Sequence, residues 1–263
     1  MLDRETIIKR LADGLRQNDH VKALWEGGSV SFGREDQWSD IDLYALVSDG
    51  HAKPVMRQIR SLLVDLAPIE LEHPVRSTKW PEIEQSFFRL IGTDEFLLID
   101  MAVVPESSEE SFLKVEVHGE PRFLIRSVGV KEEHVDIDAL KYELRESLER
   151  SSMRMELFSS FVLKELWRDN LLDALDIYRT VVLSSLVDLL RTKYAPFHHD
   201  FQLRYCRHDL PEDVYHRLIS LSLVKDREDL EIKYLEAREW FRDERRSAEA
   251  GIDEWAGRMI DRP

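Results

Sequence analysis

The pattern of apolar and polar positions divides the chain into two regions of different character. In the first, two periods alternate. ETIIKRLADGL places Ile7, Ile8, Leu11 and Leu15 at helical spacing. VKALWEGG reads as a strand that ends in a glycine turn, and DIDLYALV as a second strand. VMRQIRSLLVDLAP is an amphipathic helix stopped by Pro68. IELEHPV, QSFFRLIG and EFLLIDMAVV read as further strands, the last two flanking Gly92-Thr93-Asp94 as a hairpin turn. HGEPRFLIR reads as one more edge strand.

After about residue 128 the strand patterns vanish and long periodic runs take over. They are IDALKYELRESLERSSMRMELFSSFVLKELW, LLDALDIYRTVVLSSLVDLLRTKY, PEDVYHRLISLSL and LEIKYLEAREWFRDERRSAEAG. Gly251 at the end of the last run reads as a helix end. Strands followed by a block of helices predict an α+β chain. A small mixed β-sheet domain with helices is expected over residues 1–127, and an all-α helical bundle over 128–263.

Composition changes this picture in three ways. The chain has 263 residues, 43% of them hydrophobic, enough to build a core in both regions. No stretch approaches the ~18 apolar residues of a membrane span, and MLDRETIIKRL lacks the apolar segment of a signal peptide. With the single Cys206, this predicts a cytoplasmic protein without membrane association. The formal net charge is −15, spread along the chain: 15 basic against 23 acidic residues through Arg126, and 22 against 29 beyond it. Binding a polynucleotide requires Lys and Arg to displace phosphate counterions, so a nucleic-acid partner is disfavoured. A cationic small molecule suits the surface better.

The candidate chemistry lies in WEGGSVSFGREDQWSDIDLYAL, residues 25–46. Side chains alternate along a strand, so Asp40 and Asp42 share one face while Ile41 and Leu43 pack on the other. Two neighbouring carboxylates repel, and burying them is costly unless a cation compensates. A hard divalent ion such as Mg²⁺ prefers carboxylate and phosphate oxygens. Gly27, Gly28 and Ser29 supply a turn that lets the backbone approach a phosphate. SVSFGRED should then form a short helix whose first amides face that phosphate.

Gly28-Ser29, Gly33 and then Ser39-Asp40-Ile41-Asp42-Leu43 resemble the signature of the DNA polymerase β-like nucleotidyltransferase superfamily. The layout is most similar to the bacterial aminoglycoside and lincosamide nucleotidyltransferases. The motif covers about twenty residues. The resemblance implies an active site in a cleft between the two domains. It implies transfer of a nucleoside monophosphate, AMP from ATP or another NTP, to a hydroxyl of a small-molecule acceptor, with release of pyrophosphate. Asp40 and Asp42 would hold two Mg²⁺ ions, and Gly28 and Ser29 would position the β- and γ-phosphates. A third carboxylate is implied. Asp100 is preferred because it is the only charge in FLLIDMAVV, which reads as a central strand; Glu72 or Glu70 in the alternating IELEHPV is the rival. Lys141, Lys164, Arg168 and Arg179 are candidates for touching the triphosphate.

Two other function classes stay open at this point: a regulator that transfers AMP to a protein hydroxyl, and a non-catalytic NTP-binding protein. His198, His199 and Asp200, with Cys206 and His208, match no zinc spacing and read as a polar loop between helices. EAREWFRDERRSAEA reads as a solvated helix face, with the aromatic residues of the bundle in its core.

Overall fold

A computed structural model describes residues 2–260, with side chains described through residue 255. The chain divides into two compact units, residues 1–135 and 136–263. Residues 128–135 therefore lie with the first unit and not with the bundle. Local bonding explains this: Leu113 and Glu133 join through the Glu133 amide (2.8 Å), and the Val135 amide donates to Glu116 (3.2 Å).

The first unit begins with α1 (Arg4–Leu15), whose N-cap Asp3 accepts from the Thr6 amide. Strand β1 (Val21–Glu26) leads through Gly27 into a single turn, α2 (Gly28–Ser31). Then follow β2 (Ile41–Val47), α3 (Ala52–Leu66), β3 (Ile69–Val75), β4 (Glu84–Leu90), β5 (Ile99–Pro105), the short α4 (Val115–His118) and β6 (Arg122–Arg126). Among the described residues the strands form one mixed sheet in the order β3-β4-β5-β2-β1-β6. The β2–β5 pair is parallel, and the other neighbours are antiparallel. HGEPRFLIR supplies the edge strand that its pattern predicts.

Sheet parity decides the two faces. Ile41, Leu43, Ala45 and Val47 of β2, with Ile99, Met101 and Val103 of β5, pack with α1 and α3 in one buried cluster. The alternate positions face away from those helices. There Trp25 stacks on Tyr44 at 5.6 Å, and Phe123 and Phe112 complete a smaller cluster. The connection between β4 and β5 is longer than the expected hairpin turn. Asp94 accepts from the Phe96 and Leu97 amides, through its side chain and carbonyl respectively, so the chain stays in turns until Ile99.

Among the described residues the second unit holds helices and no strand: α5 (Ile137–Phe158), α6 (Phe161–Trp167), α7 (Leu171–Ile177), a π-helical stretch (Tyr178–Leu183), α8 (Ser184–Tyr194), a 3₁₀ turn (Pro196–His198), α9 (Cys206–Asp209), α10 (Glu212–Ser222) and α11 (Arg227–Ile260). Gly251 is not a helix end, because α11 continues through it. A lone helical glycine costs about 1 kcal/mol against alanine, and Ala248 and Ile252 on either side are buried. The EAREWFRDERRSAEA run is only partly solvated: Ala237, Trp240, Phe241 and Ala248 are buried.

The segment after α8 is more than a polar loop. Arg191 is fully buried. Its guanidinium donates to the carbonyls of His198, Gln202 and Arg204 and pairs with Asp209 at 3.0 Å. His198 contacts the same Asp209 at 2.9 Å. Desolvation raises the pKa of the buried Cys206 thiol. The cluster ties the loop to α8 through the buried Arg191 side chain, whose donors are met by loop carbonyls and by Asp209.

Candidate active site

Strand register brings two of the expected carboxylates together. Asp42 and Asp100 are Cα partners in the parallel β2–β5 pair, so their side chains leave the sheet side by side. Both lie on the face away from α1 and α3. Asp40 precedes β2 by one residue and shares the parity of Asp42. The Asp100 carboxylate accepts from the Gln85 side-chain amide on both oxygens, at 2.7 and 3.0 Å. Gln85 was not legible as a site residue, since a polar residue in an alternating strand carries no signal of what lies on the next strand.

Glu72 lies elsewhere. It is the register partner of Phe88, which belongs to the helix-covered core, so Glu72 faces α3 and not Asp42. There it pairs with Arg60 of α3 and accepts from Ser86 at 3.3 Å. The Arg60 hydrogen bonds hold its carboxyl below the ordinary range. Glu70 pairs with Arg89 at 2.8 Å.

The glycine-serine turn abuts the carboxylates. Gly28 has φ +56°, and a Cβ built there would stand 2.6 Å from Cγ of Asp42 and closer still to its Oδ2. The Gly27 amide donates to the Asp42 carbonyl at 3.0 Å. Ser29 donates its hydroxyl to Ser39 Oγ at 3.2 Å, which ties the turn to the residue before Asp40. Ser39 Oγ also accepts from the Asp36 amide at 2.9 Å. The helix that follows is a single turn, shorter than SVSFGRED suggests, because Phe32 and Gly33 leave the helical conformation.

Next to the turn stands an ion-pair network, built on one buried carboxylate, that the linear sequence does not reveal. Glu26, the last residue of β1, is 1% exposed. It pairs with Arg4 of α1 at 2.9 Å and with Arg122 of β6, whose Nε donates at 2.7 Å. The same arginines reach Glu35 at 2.8 and 3.4 Å. Glu26 and Glu35 bracket the Gly27–Arg34 segment, so this network fixes both of its ends.

Carboxylate oxygens are the donors that a hard divalent cation takes, and two of them in register are costly without a positive charge nearby. In kind, the pair fits Mg²⁺. Among the described residues, however, no group of three or more His, Cys, Asp and Glu side chains stands close enough to hold a metal ion. The candidate cations of the second unit have other contacts: Lys141 pairs with Asp253, Lys164 lies over Phe161, and Arg168 pairs with Glu165. Arg179 borders a cavity of about 430 Å³ with Asp188 and Leu203.

No protein-family model and no curated protein matches the chain. Among the solved structures similar to it are two adenyltransferases. An aminoglycoside 6-adenyltransferase from Bacillus subtilis shares 11% identity over 100% of both chains, with a TM-score of 0.36. A spectinomycin adenyltransferase from Enterococcus faecialis, solved with ATP and spectinomycin, shares 12% identity over 94% of this chain and 100% of its own, with a TM-score of 0.35. At TM-scores below 0.5 these likenesses carry no weight for function, and the case for it lies in the residues.

Proposed function

We propose that the protein is a nucleotidyltransferase that moves a nucleoside monophosphate, AMP from ATP in the first instance, onto a hydroxyl of a small molecule. The observation that carries this reading is the register pairing of Asp42 with Asp100, with Gly28 packed against the Asp42 carboxylate. A nucleotide triphosphate and divalent cations suit that combination of acidic oxygens and a close backbone turn.

In the reaction, the acceptor oxygen forms a bond to the α-phosphorus while the bond from that phosphorus to the bridging oxygen breaks, and pyrophosphate leaves. Asp100 is the group to receive the hydroxyl proton, held in orientation by the Gln85 amide. Asp42 and Asp100, the pair in register, would supply carboxylate oxygens to the divalent cations; Asp40 would be a further ligand, which among the described residues completes no set of three, and phosphate oxygens would supply the rest. Bound there, Mg²⁺ would offset the charge of the triphosphate. Gly28 and Ser29 would seat the β- and γ-phosphates, on a turn fixed by Glu26 at its start. An aminoglycoside-type or lincosamide-type acceptor is the first class to try. A polycationic acceptor also suits a chain of net charge −15.

The experiment is pyrophosphate release from Mg-ATP with a panel of aminoglycosides, lincosamides and amino sugars. Release with one acceptor, abolished in Asp42→Asn, is the expected result. Turnover that survives undiminished in Asp42→Asn would sink the mechanism. Release only with a protein acceptor would move the substrate class to protein modification. Tight nucleotide binding without release from any acceptor would favour a non-catalytic NTP-binding protein.

A further inference from the structure

We propose that Trp38 and Phe96 form the platform on which the nucleobase of the bound nucleotide stacks. This rests on the nucleotidyl-transfer reading above and deepens it. Both rings are large and open to water, Trp38 at 61% and Phe96 at 54% exposure. They meet edge to face at 90°, with centroids 5.3 Å apart. That geometry satisfies the ring quadrupoles of the pair and leaves a ring face uncovered.

Their positions relate them to the carboxylates. Trp38 stands two residues before Asp40, in the segment that enters β2. Phe96 stands four residues before Asp100, in the segment that enters β5. The two segments are locked together, because the Ile41 amide donates to the Leu98 carbonyl at 2.8 Å. The backbone under each ring is braced by the same local device. The Trp38 amide donates to the Asp36 side chain at 2.9 Å, and the Phe96 amide to the Asp94 side chain at 3.0 Å. Two exposed rings on braced turns cost little further ordering when a planar ligand lands on them.

Beside Phe96 lies a shallow cavity of about 230 Å³, lined also by Asp3, Gln37, Ser39 and Asp94. Its polar groups are mainly oxygen acceptors. A base that presents an exocyclic amine, such as adenine, meets them better than one with only carbonyl oxygens on that edge. Ser39 links this cavity to the phosphate turn through its bond to Ser29.

Calorimetry in the presence of Mg²⁺ with two ligands, ATP and inorganic triphosphate, separates base from phosphate recognition. Stacking on an aromatic residue contributes about 1–3 kcal/mol per base, or roughly 5- to 150-fold in affinity. Trp38→Ala and Phe96→Ala are each expected to weaken ATP within that range and to leave triphosphate binding unchanged. Trp38→Phe should keep ATP affinity, and Trp38→Leu, which retains apolar area without a π face, should lose it. Unchanged ATP affinity in both alanine variants, or equal losses for ATP and triphosphate, overturns the platform while leaving the nucleotidyl-transfer reading intact. Wild-type protein that binds neither ligand overturns both.

Discussion

Gly28 and Asp42 are packed so closely that the glycine has no room for a side chain: a Cβ would stand 2.6 Å from the Asp42 Cγ. The glycine-serine turn and the acidic strand are therefore one unit of geometry. Gly28→Ala must strain a left-handed residue, at about 1 kcal/mol, and must also displace the carboxylate. Gly50 is the control, since it has φ +78° and nothing within 4 Å of an added Cβ. Both alanine variants should lose stability in urea unfolding, Gly28→Ala the more because it adds the clash with Asp42 to the backbone strain that Gly50→Ala carries alone. Only Gly28→Ala should lose nucleotidyl transfer, by roughly 100-fold or more if a reacting group moves by about 1 Å. Equal activity in the two variants would separate the turn from the chemistry.

The third carboxylate can be assigned by contrast. Asp100→Asn should abolish turnover with little change in melting temperature. Gln85→Ala should lower kcat by about 10- to 100-fold, as for groups that orient an active carboxylate. Glu72→Gln should leave kcat intact, because Glu72 faces α3.

The Glu72 variant also has a pH signature. The folded pKa of Glu72 lies below its ordinary value of 4.5, chiefly through the Arg60 hydrogen bonds. A lowered carboxylate pKa means that its stabilisation is fully present above pH 4.5 and is lost as the pH falls through the folded value. Glu72→Gln should therefore be less stable than wild type at neutral pH, and the gap should narrow below pH 4.5. Denaturant midpoints across that range test it. A gap that widens on acidification would contradict the sign.

Glu26 is a buried anion between Arg4 and Arg122. Breaking a buried pair by removing one partner costs about 3–5 kcal/mol, so Glu26→Ala should be strongly destabilised. Because the network brackets the Gly27–Arg34 segment, the milder Glu35→Gln should keep the fold and raise KM for the nucleotide. Unchanged KM would show that the loop is set without the Glu35 ion pairs.

In the helical unit, Asp209 faces the fully buried Arg191 and His198. Asp209→Ala should cost about 3–5 kcal/mol by stranding that guanidinium. Asp253 pairs with Lys141 and Arg145 at the surface, and Asp253→Ala should cost under about 1 kcal/mol. Urea midpoints for the two variants provide the comparison.

The sequence by itself determined the α+β class, most of the strands and helices, and the faces of β2. Alternation in DIDLYALV is enough to send Ile41 and Leu43 to the core and both aspartates away from it. It did not determine the residues whose roles arise from pairing between distant segments. Gln85 of β4 reaches Asp100 on the neighbouring β5, Glu26 meets arginines from α1 and β6, and Glu72 is turned to α3 by the register of β3 on β4. Gly251 and the segment after α8 show the same limit, since buried neighbours override the local preference of a glycine or a polar run. Local periodicity is written in adjacent residues. Register, and the desolvation that selects partners for buried charges, exist only once the strands and helices have packed.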